Sequence, residues 1–330
     1  MASKKDKLLN VGLGAGLLGG LLLALKYAVR RPTKSPVPDT ISPAIFATRV
    51  LQTSYGPVVY HESGSGQPLL FIHNISPGAS SYEWSKVYPD FAGRFRVLAL
   101  DMIGFGESAR PDAQLGAEDC VRVLAEFIRA TCWEQMPVVI GSGLGAGFCA
   151  YLASQHPELV SRLILFMPTG RNDIGQQRLP LSIRMLSRMP LLNRFAYRNY
   201  QSTKTAMRLS LAQSAFFDPS RLTDETVDVF TTCAQQYGAE HAIFNFYTGR
   251  FNFDLDSRMK SVTQPVSLLW SEQAVSPPID TPYHFQKLLS NGSVGILKNT
   301  GTLAAIEDPA QMSACLQELL TEDLHLFKAE

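Results

Sequence analysis

Residues Pro137 to Ala146 read PVVIGSGLGA. Pro137 to Gly141 form a short apolar run, and a helical pattern follows from Leu144 to Ser154. An apolar run without polar alternation is what a strand covered on both faces requires. Gly141, Gly143 and Gly145 crowd the junction. Glycine accepts backbone dihedrals that other residues avoid, so a tight strand-to-helix turn is expected there.

Working outward, the same alternation repeats. Phe46 to Thr53 and Pro57 to Ser63 read as a hairpin around Tyr55-Gly56. Strands follow at Pro68 to His73 (PLLFIH), Arg96 to Asp101 (RVLALD) and Leu163 to Met167, with helices expected at Tyr82 to Phe91 and Ala117 to Thr131. Leu179 to Phe251 is helix-like throughout. Alternation resumes with a strand at Pro265 to Trp270, a helix at Tyr283 to Leu289, a strand at Gly295 to Leu297 and a helix at Ala310 to Thr321. This pattern predicts an α/β fold with a mostly parallel, doubly wound sheet. The helical insertion, about residues 175–255, is expected to cap the carboxyl ends of the strands.

Four segments make the chain resemble the α/β-hydrolase family from about Phe46 to Leu320. His73-Asn74-Ile75 is similar to the oxyanion loop, and Asp101 to Ser108 (DMIGFGES) to the Asp-x-x-Gly-x-Gly-x-Ser segment. Gly141 to Ala146 is similar to the nucleophile elbow, and Pro265 to Glu272 to the strand that leads to the acid. The resemblance implies a Ser, Cys or Asp nucleophile on a strained turn, a histidine base, an acid, and two backbone N–H groups for the oxyanion. In this chain the three positions are occupied by residues that cannot do that work. The nucleophile position is Gly143, the acid position Ala274 and the base position Thr302. Ser142 lies one residue before the elbow, and Glu272 and Asp280 lie off the acid frame. Ile306-Glu307-Asp308-Pro309 supports the register at Thr302.

By the same resemblance Ile75 and Leu144 supply the oxyanion amides, so Asn74, Ile75, Ser142, Gly143 and Leu144 are the expected ligand-binding residues. The main expectation is a non-hydrolytic protein that binds a small-molecule or acyl ligand, or acts as a scaffold. The alternatives are an esterase-like hydrolase with a rearranged site, through Ser142, Asp173, Glu272 or a cap residue, and a structural subunit of a membrane complex. A nucleophile on this turn holds strain of about 1–3 kcal/mol, so Gly143→Ser is expected to destabilise the fold.

Competing motifs are weaker. Gly141, Gly143 and Ala146 fit Gly-x-Gly-x-x-Ala, but the region about 20 residues on (Ile164 to Thr169) has no acid for a ribose. The helix start could still hold an anionic group on its free amides. His73 and His156 read as structural; His61, His241 and His284 have no base frame. Arg178, Arg184, Arg188, Arg194 and Arg198 read as a solvated helix face, with anionic lipid as the second reading. Phe244, Phe246, Tyr247, Phe251 and Phe253 read as core.

Composition narrows the rest. Thirty basic residues against 29 acidic ones give a net charge of +1, without the footprint of a nucleic-acid binder. Five scattered cysteines with no Cys-x-x-Cys pair, and no His-Glu-x-x-His spacing, give no metal site or disulfide framework, and no cofactor is expected. Leu8 to Leu25 is apolar or glycine except for Asn10, and lysines and arginines flank it. At roughly 1.5 Å per residue it spans about 27 Å, near a bilayer's hydrocarbon thickness. Residues 1–30 are therefore expected to be a membrane anchor with one transmembrane helix, and 31–44 a Pro-rich linker before a domain over 45–330. Gly12, Gly16 and Gly20 give that helix a smooth face for a membrane-protein partner. Unpaired thiols favour the cytoplasmic, reducing side for the soluble domain.

Overall fold

The computed structural model describes residues 46–170, 190–274 and 276–326. The expected anchor (1–30), linker (31–44) and Gly12/Gly16/Gly20 face lie outside the described residues, as do Asp173, Arg178, Arg184 and Arg188. Among the described residues no helix is long and apolar enough to cross a membrane.

Eight strands form one sheet in the order β1-β2-β4-β3-β5-β6-β7-β8. They are β1 Ala47–Thr53, β2 Gly56–Ser63, β3 Pro68–Ile72, β4 Arg96–Leu100, β5 Val138–Ser142, β6 Arg162–Phe166, β7 Val266–Ser271 and β8 Gly292–Leu297. β1 and β2 are the expected hairpin, with Thr53 opposite Gly56. β2 also meets β4 antiparallel, and every pairing from β4 to β8 is parallel. Each residue of β3, β5 and β6 is buried, which is why these strands read as continuous apolar runs.

Helix α1 (Ala117–Thr131) has the predicted bounds and buries Val121, Leu124, Phe127 and Ile128 on one face. Helix α2 (Gly143–Gln155) buries nearly all its length behind the sheet's centre. The helix expected over Tyr82 to Phe91 is instead two short 3₁₀ turns, Ser81–Trp84 and Tyr88–Phe91. Pro89 explains the break: it has no N–H to give to the Ser85 carbonyl one turn back.

Between β6 and β7 the cap holds α3 (Pro190–Ala196), a π turn (Tyr197–Gln201), α4 (Lys204–Ser214), α5 (Asp224–Ala234) and α6 (Ala239–Tyr247). The cap has its own apolar cluster, in which Met207, Leu211, Phe216 and Phe230 pack on Tyr82, Leu303 and Ile306 of the sheet's loops. Arg194 and Arg198 correct the expectation of a solvated or lipid-facing run. Both pair with Glu240 of α6, at 3.0 and 2.6 Å, and that carboxylate is only 1% exposed. Phe251 and Phe253 pack as expected: Phe253 stacks on Phe148 of α2, and Phe251 meets the same ring edge-on. Tyr247 departs from that expectation and lines a cavity under the cap. Helix α7 (Leu255–Lys260) leads into β7, and after it come α8 (Thr281–Leu288), a short α9 (Ala304–Glu307) and α10 (Pro309–Leu326).

Candidate functional site

The chain leaves β5 at Ser142 in extended conformation and enters α2 at Gly143 with φ +53°. That positive φ is the strained elbow dihedral, and glycine holds it without the steric cost of a side chain. A Cβ at Gly143 would stand 2.1 Å from Asn74 Oδ1. The space that a nucleophile's side chain needs is therefore occupied by Asn74.

Asn74 does more than fill that space. Its Oδ1 accepts from Ile75 N at 2.7 Å and from Leu144 N at 3.0 Å. These are the two amides that the resemblance assigns to the oxyanion hole. An amide oxygen of this chain sits where a substrate's carbonyl oxygen would be held. Two N–H donors on the oxygen also fix the amide's orientation, because the NH₂ end could not face them.

The rest of the loop locks Asn74 in place. Its backbone N–H donates to Glu83 Oε2 at 2.7 Å, and its backbone carbonyl accepts from His73 Nδ1 at 2.6 Å. His73 Nε2 in turn accepts from Met102 N at 3.0 Å. The imidazole is thus neutral with its proton on Nδ1, and burial lowers its pKa, with Asp101 nearby pulling the other way. His73 is a fastener, as expected. Asp101 accepts from Ser81 N and Glu107 N and so closes the Asp101–Ser108 turn.

Ser142 is 1% exposed and its hydroxyl makes no hydrogen bond of good geometry. It lies beside the Glu83 carboxyl. Burial pushes that carboxyl up to about 7, while the Ser142 hydroxyl and the Asn74 N–H each pull it back less. Sequence spacing gives no sign of Glu83, on the first 3₁₀ turn, because the segment around it (SSYEWSKVYPD) is mixed and its partner Asn74 lies on another loop.

The other positions are equally changed. Ala274 is half-buried against the main core. Glu272 is exposed and accepts from Gln273 Nε2, while Gln273 Oε1 accepts from Asn299 N at 2.8 Å. Asp280 is exposed just before α8. Thr302 is half-buried, and its hydroxyl faces the Ser214 carbonyl of the cap at 3.4 Å. Glu307 gathers the nearby loop: it accepts from Gly301 N, Phe217 N and Asp218 N and so ties the base loop to the cap.

Above Asn74 and Thr302 lies a cavity of about 330 Å³. Ser76, Pro77 and Leu303 line it from the sheet side, and Gln201, Met207, Ser210, Ser214 and Tyr247 from the cap. Of the five expected ligand-binding residues only Asn74 lines it. Ile75, Ser142 and Leu144 are buried, and the amides of Ile75 and Leu144 are spent on Asn74 rather than open to a ligand. The same bond removes Leu144 N from any anion site at the start of α2. No histidine lines the cavity among the described residues. A second cavity, about 440 Å³, lies between Phe253 and Phe285 away from these positions. Among the described residues, His61, Asp101 and Glu107 bring possible metal-ligand atoms within 4.8 Å of one another. Both Asp101 oxygens there already accept backbone N–H groups. Sequence spacing gave no sign of this trio, since it joins β2 to the loop after β4.

The family model for the α/β-hydrolase fold matches residues 67–309. The chain is 25% identical over 279 residues to a 2-hydroxy-6-oxo-6-(2'-aminophenyl)hexa-2,4-dienoic acid hydrolase of Metapseudomonas resinovorans, covering 82% of this chain and 89% of that one. It is 41% identical over 112 residues to a 2-hydroxymuconate semialdehyde hydrolase of Pseudomonas sp. (strain CF600), covering 33% of this chain and 39% of that one. Among solved structures it is similar to a membrane phospholipase A described as a bacterial virulence factor, with a TM-score of 0.69 and 20% identity over 96% of this chain and 97% of that one. That likeness is one of fold. The named relatives are hydrolases, which weighs toward the enzymatic alternative and lends nothing to a non-catalytic reading or a membrane location. This chain belongs to the α/β-hydrolase family.

Proposed function

We propose that this α/β-hydrolase family member binds a small ligand between sheet and cap without hydrolysing it. One observation carries the reading: Asn74 Oδ1 occupies the oxyanion hole over a glycine elbow. Hydrolysis by the family route needs an attacking group and a vacant hole, and this site offers neither. The dienoic acid named for the first relative is a carboxylate. The described lining of the cavity carries no cation to meet one.

The second reading is a hydrolase with a rearranged site, favoured by the hydrolase names of the relatives. Its reacting pair in this chain is Ser142 with Glu83 as base, and it requires the buried serine to reach the cavity. The apolar run Leu8 to Leu25 with its basic flanks supports membrane attachment, and the unpaired cysteines support the cytoplasmic side for the domain.

The test is hydrolysis of an ester panel, from short to long acyl chains, by the full chain and by Ser142→Ala. No turnover in either supports the binding reading. Turnover abolished by Ser142→Ala establishes the rearranged hydrolase, and turnover that survives it places the chemistry elsewhere. Either kind of turnover ends the non-catalytic reading.

A further inference from the structure

The Asn74 amide has two ends, and only one is used. Both lone pairs of Oδ1 are taken by Ile75 N and Leu144 N, and the backbone N–H and carbonyl are taken by Glu83 and His73. The Nδ2 group has no partner among the described residues, and Asn74 lines the 330 Å³ cavity. Hydrogen bonds in series polarise one another, so an amide whose oxygen accepts two N–H groups is a stronger donor at its nitrogen.

The cavity sets the complement to that donor. Its described lining holds hydroxyl, amide and apolar side chains, among them Ser210, Tyr247, Met207 and Leu211, and no charged one. A carboxylate or ammonium group there would lose water and find no counter-charge among the described residues of the lining, which is costly. A neutral ligand with an acceptor oxygen meets no such penalty.

We propose that Asn74 relays the oxyanion hole into the cavity, so that the site recognises neutral carbonyl compounds (ketones, esters or amides on a short apolar chain) through Nδ2. This rests on the binding reading above and names its ligand class. The two backbone donors at Ile75 and Leu144 remain in use, and the ligand is held one amide further from the elbow. No bond is made or broken.

The experiment uses the full chain and five probes of matched chain length: 2-octanone, methyl heptanoate, N-methylheptanamide, heptanoate and octane. Binding is read by ligand-observed NMR titration. The ketone cannot be hydrolysed, so its binding is measured independently of turnover. If the panel esters are cleaved while the ketone binds, the non-catalytic reading falls and the ligand class stands. The expected order is the three neutral carbonyls ahead of octane and heptanoate by on the order of tenfold, the worth of one neutral hydrogen bond. Asn74→Asp keeps an oxygen for Ile75 N and Leu144 N and replaces the donor with an acceptor. It is expected to remove the tenfold preference for the ketone over octane. Asn74→Gly, which removes the amide altogether, serves as the second variant: it should let the ketone compete for the bared amides. The proposal is overturned if heptanoate binds as well as 2-octanone, if no neutral carbonyl binds, or if Asn74→Asp leaves ketone affinity unchanged with its fold intact by circular dichroism.

Discussion

Placing a serine at the elbow tests the whole account of the site. In Gly143→Ser the new side chain must share space with Asn74, because a Cβ would lie 2.1 Å from Oδ1 and 2.3 Å from Cγ. Asn74 is short and pinned at both backbone atoms, so its amide has to swing away. That forfeits two hydrogen bonds at about 1 kcal/mol each. The left-handed φ of +53° adds roughly 1–2 kcal/mol for any residue with a side chain. The sum is a loss of about 3–4 kcal/mol. Asn74→Gly alone forfeits the same two bonds, about 2 kcal/mol. In the double variant the bonds are lost once, so the total stays near 3–4 rather than 5–6 kcal/mol. The expected coupling is therefore about 2 kcal/mol, well outside the ~0.5 kcal/mol scatter of independent sites. Urea titration of the four proteins, followed by tryptophan fluorescence at constant slope, measures it. Additive losses would show that Asn74 and the elbow do not share the space, and a stability gain in Gly143→Ser would refute the strained turn itself.

Glu83→Gln should change how stability depends on pH. The folded carboxyl, near 7, lies above its ordinary 4.5, so the folded state holds a proton that the unfolded state has released between these values. Wild-type stability then falls as pH rises through that window. Relative to wild type the variant should gain about 3 kcal/mol at pH 8 and almost nothing at pH 4. An equal effect at both would deny the burial argument. The combination Asn74→Gly, Gly143→Ser, Ala274→Asp and Thr302→His should cleave p-nitrophenyl acetate. The version that keeps Asn74 should be about 10²–10³-fold slower, since its hole stays filled; equal rates would show that the amide does not block it. Glu240→Gln should cost about 2 kcal/mol by leaving the Arg198 guanidinium poorly matched, and should speed proteolysis within the cap. Unchanged cleavage would mean the pair does not hold the cap.

The sheet was legible because its chemistry is local. Buried parallel strands must be apolar throughout, and PLLFIH, RVLALD and PVVIG each became a strand within a residue of the expected bounds. Pro89 defeated the helix over Tyr82 to Phe91, because one missing N–H outweighs apolar spacing. That Gly143, Ala274 and Thr302 stand at the three frame positions could be read from the sequence alone. What filled the site could not. Asn74 stands in the oxyanion loop as residue 74, and nothing in its neighbours announces that its side chain reaches residue 144. The same holds for Glu240, whose partners at Arg194 and Arg198 lie more than 40 positions away. Contacts between distant segments are set by the fold, and sequence spacing carries no trace of them.

The filled hole also bears on how such a site changes over generations. An asparagine at position 74 and a glycine at position 143 protect one another. A serine that arises first meets the amide, and a glycine that arises first at position 74 bares two donors with nothing to receive them. Each single change passes through a less stable protein. On the non-hydrolytic reading the site therefore behaves as a ratchet: a working triad needs changes at positions 74, 143, 274 and 302 together, and none of them is rewarded alone.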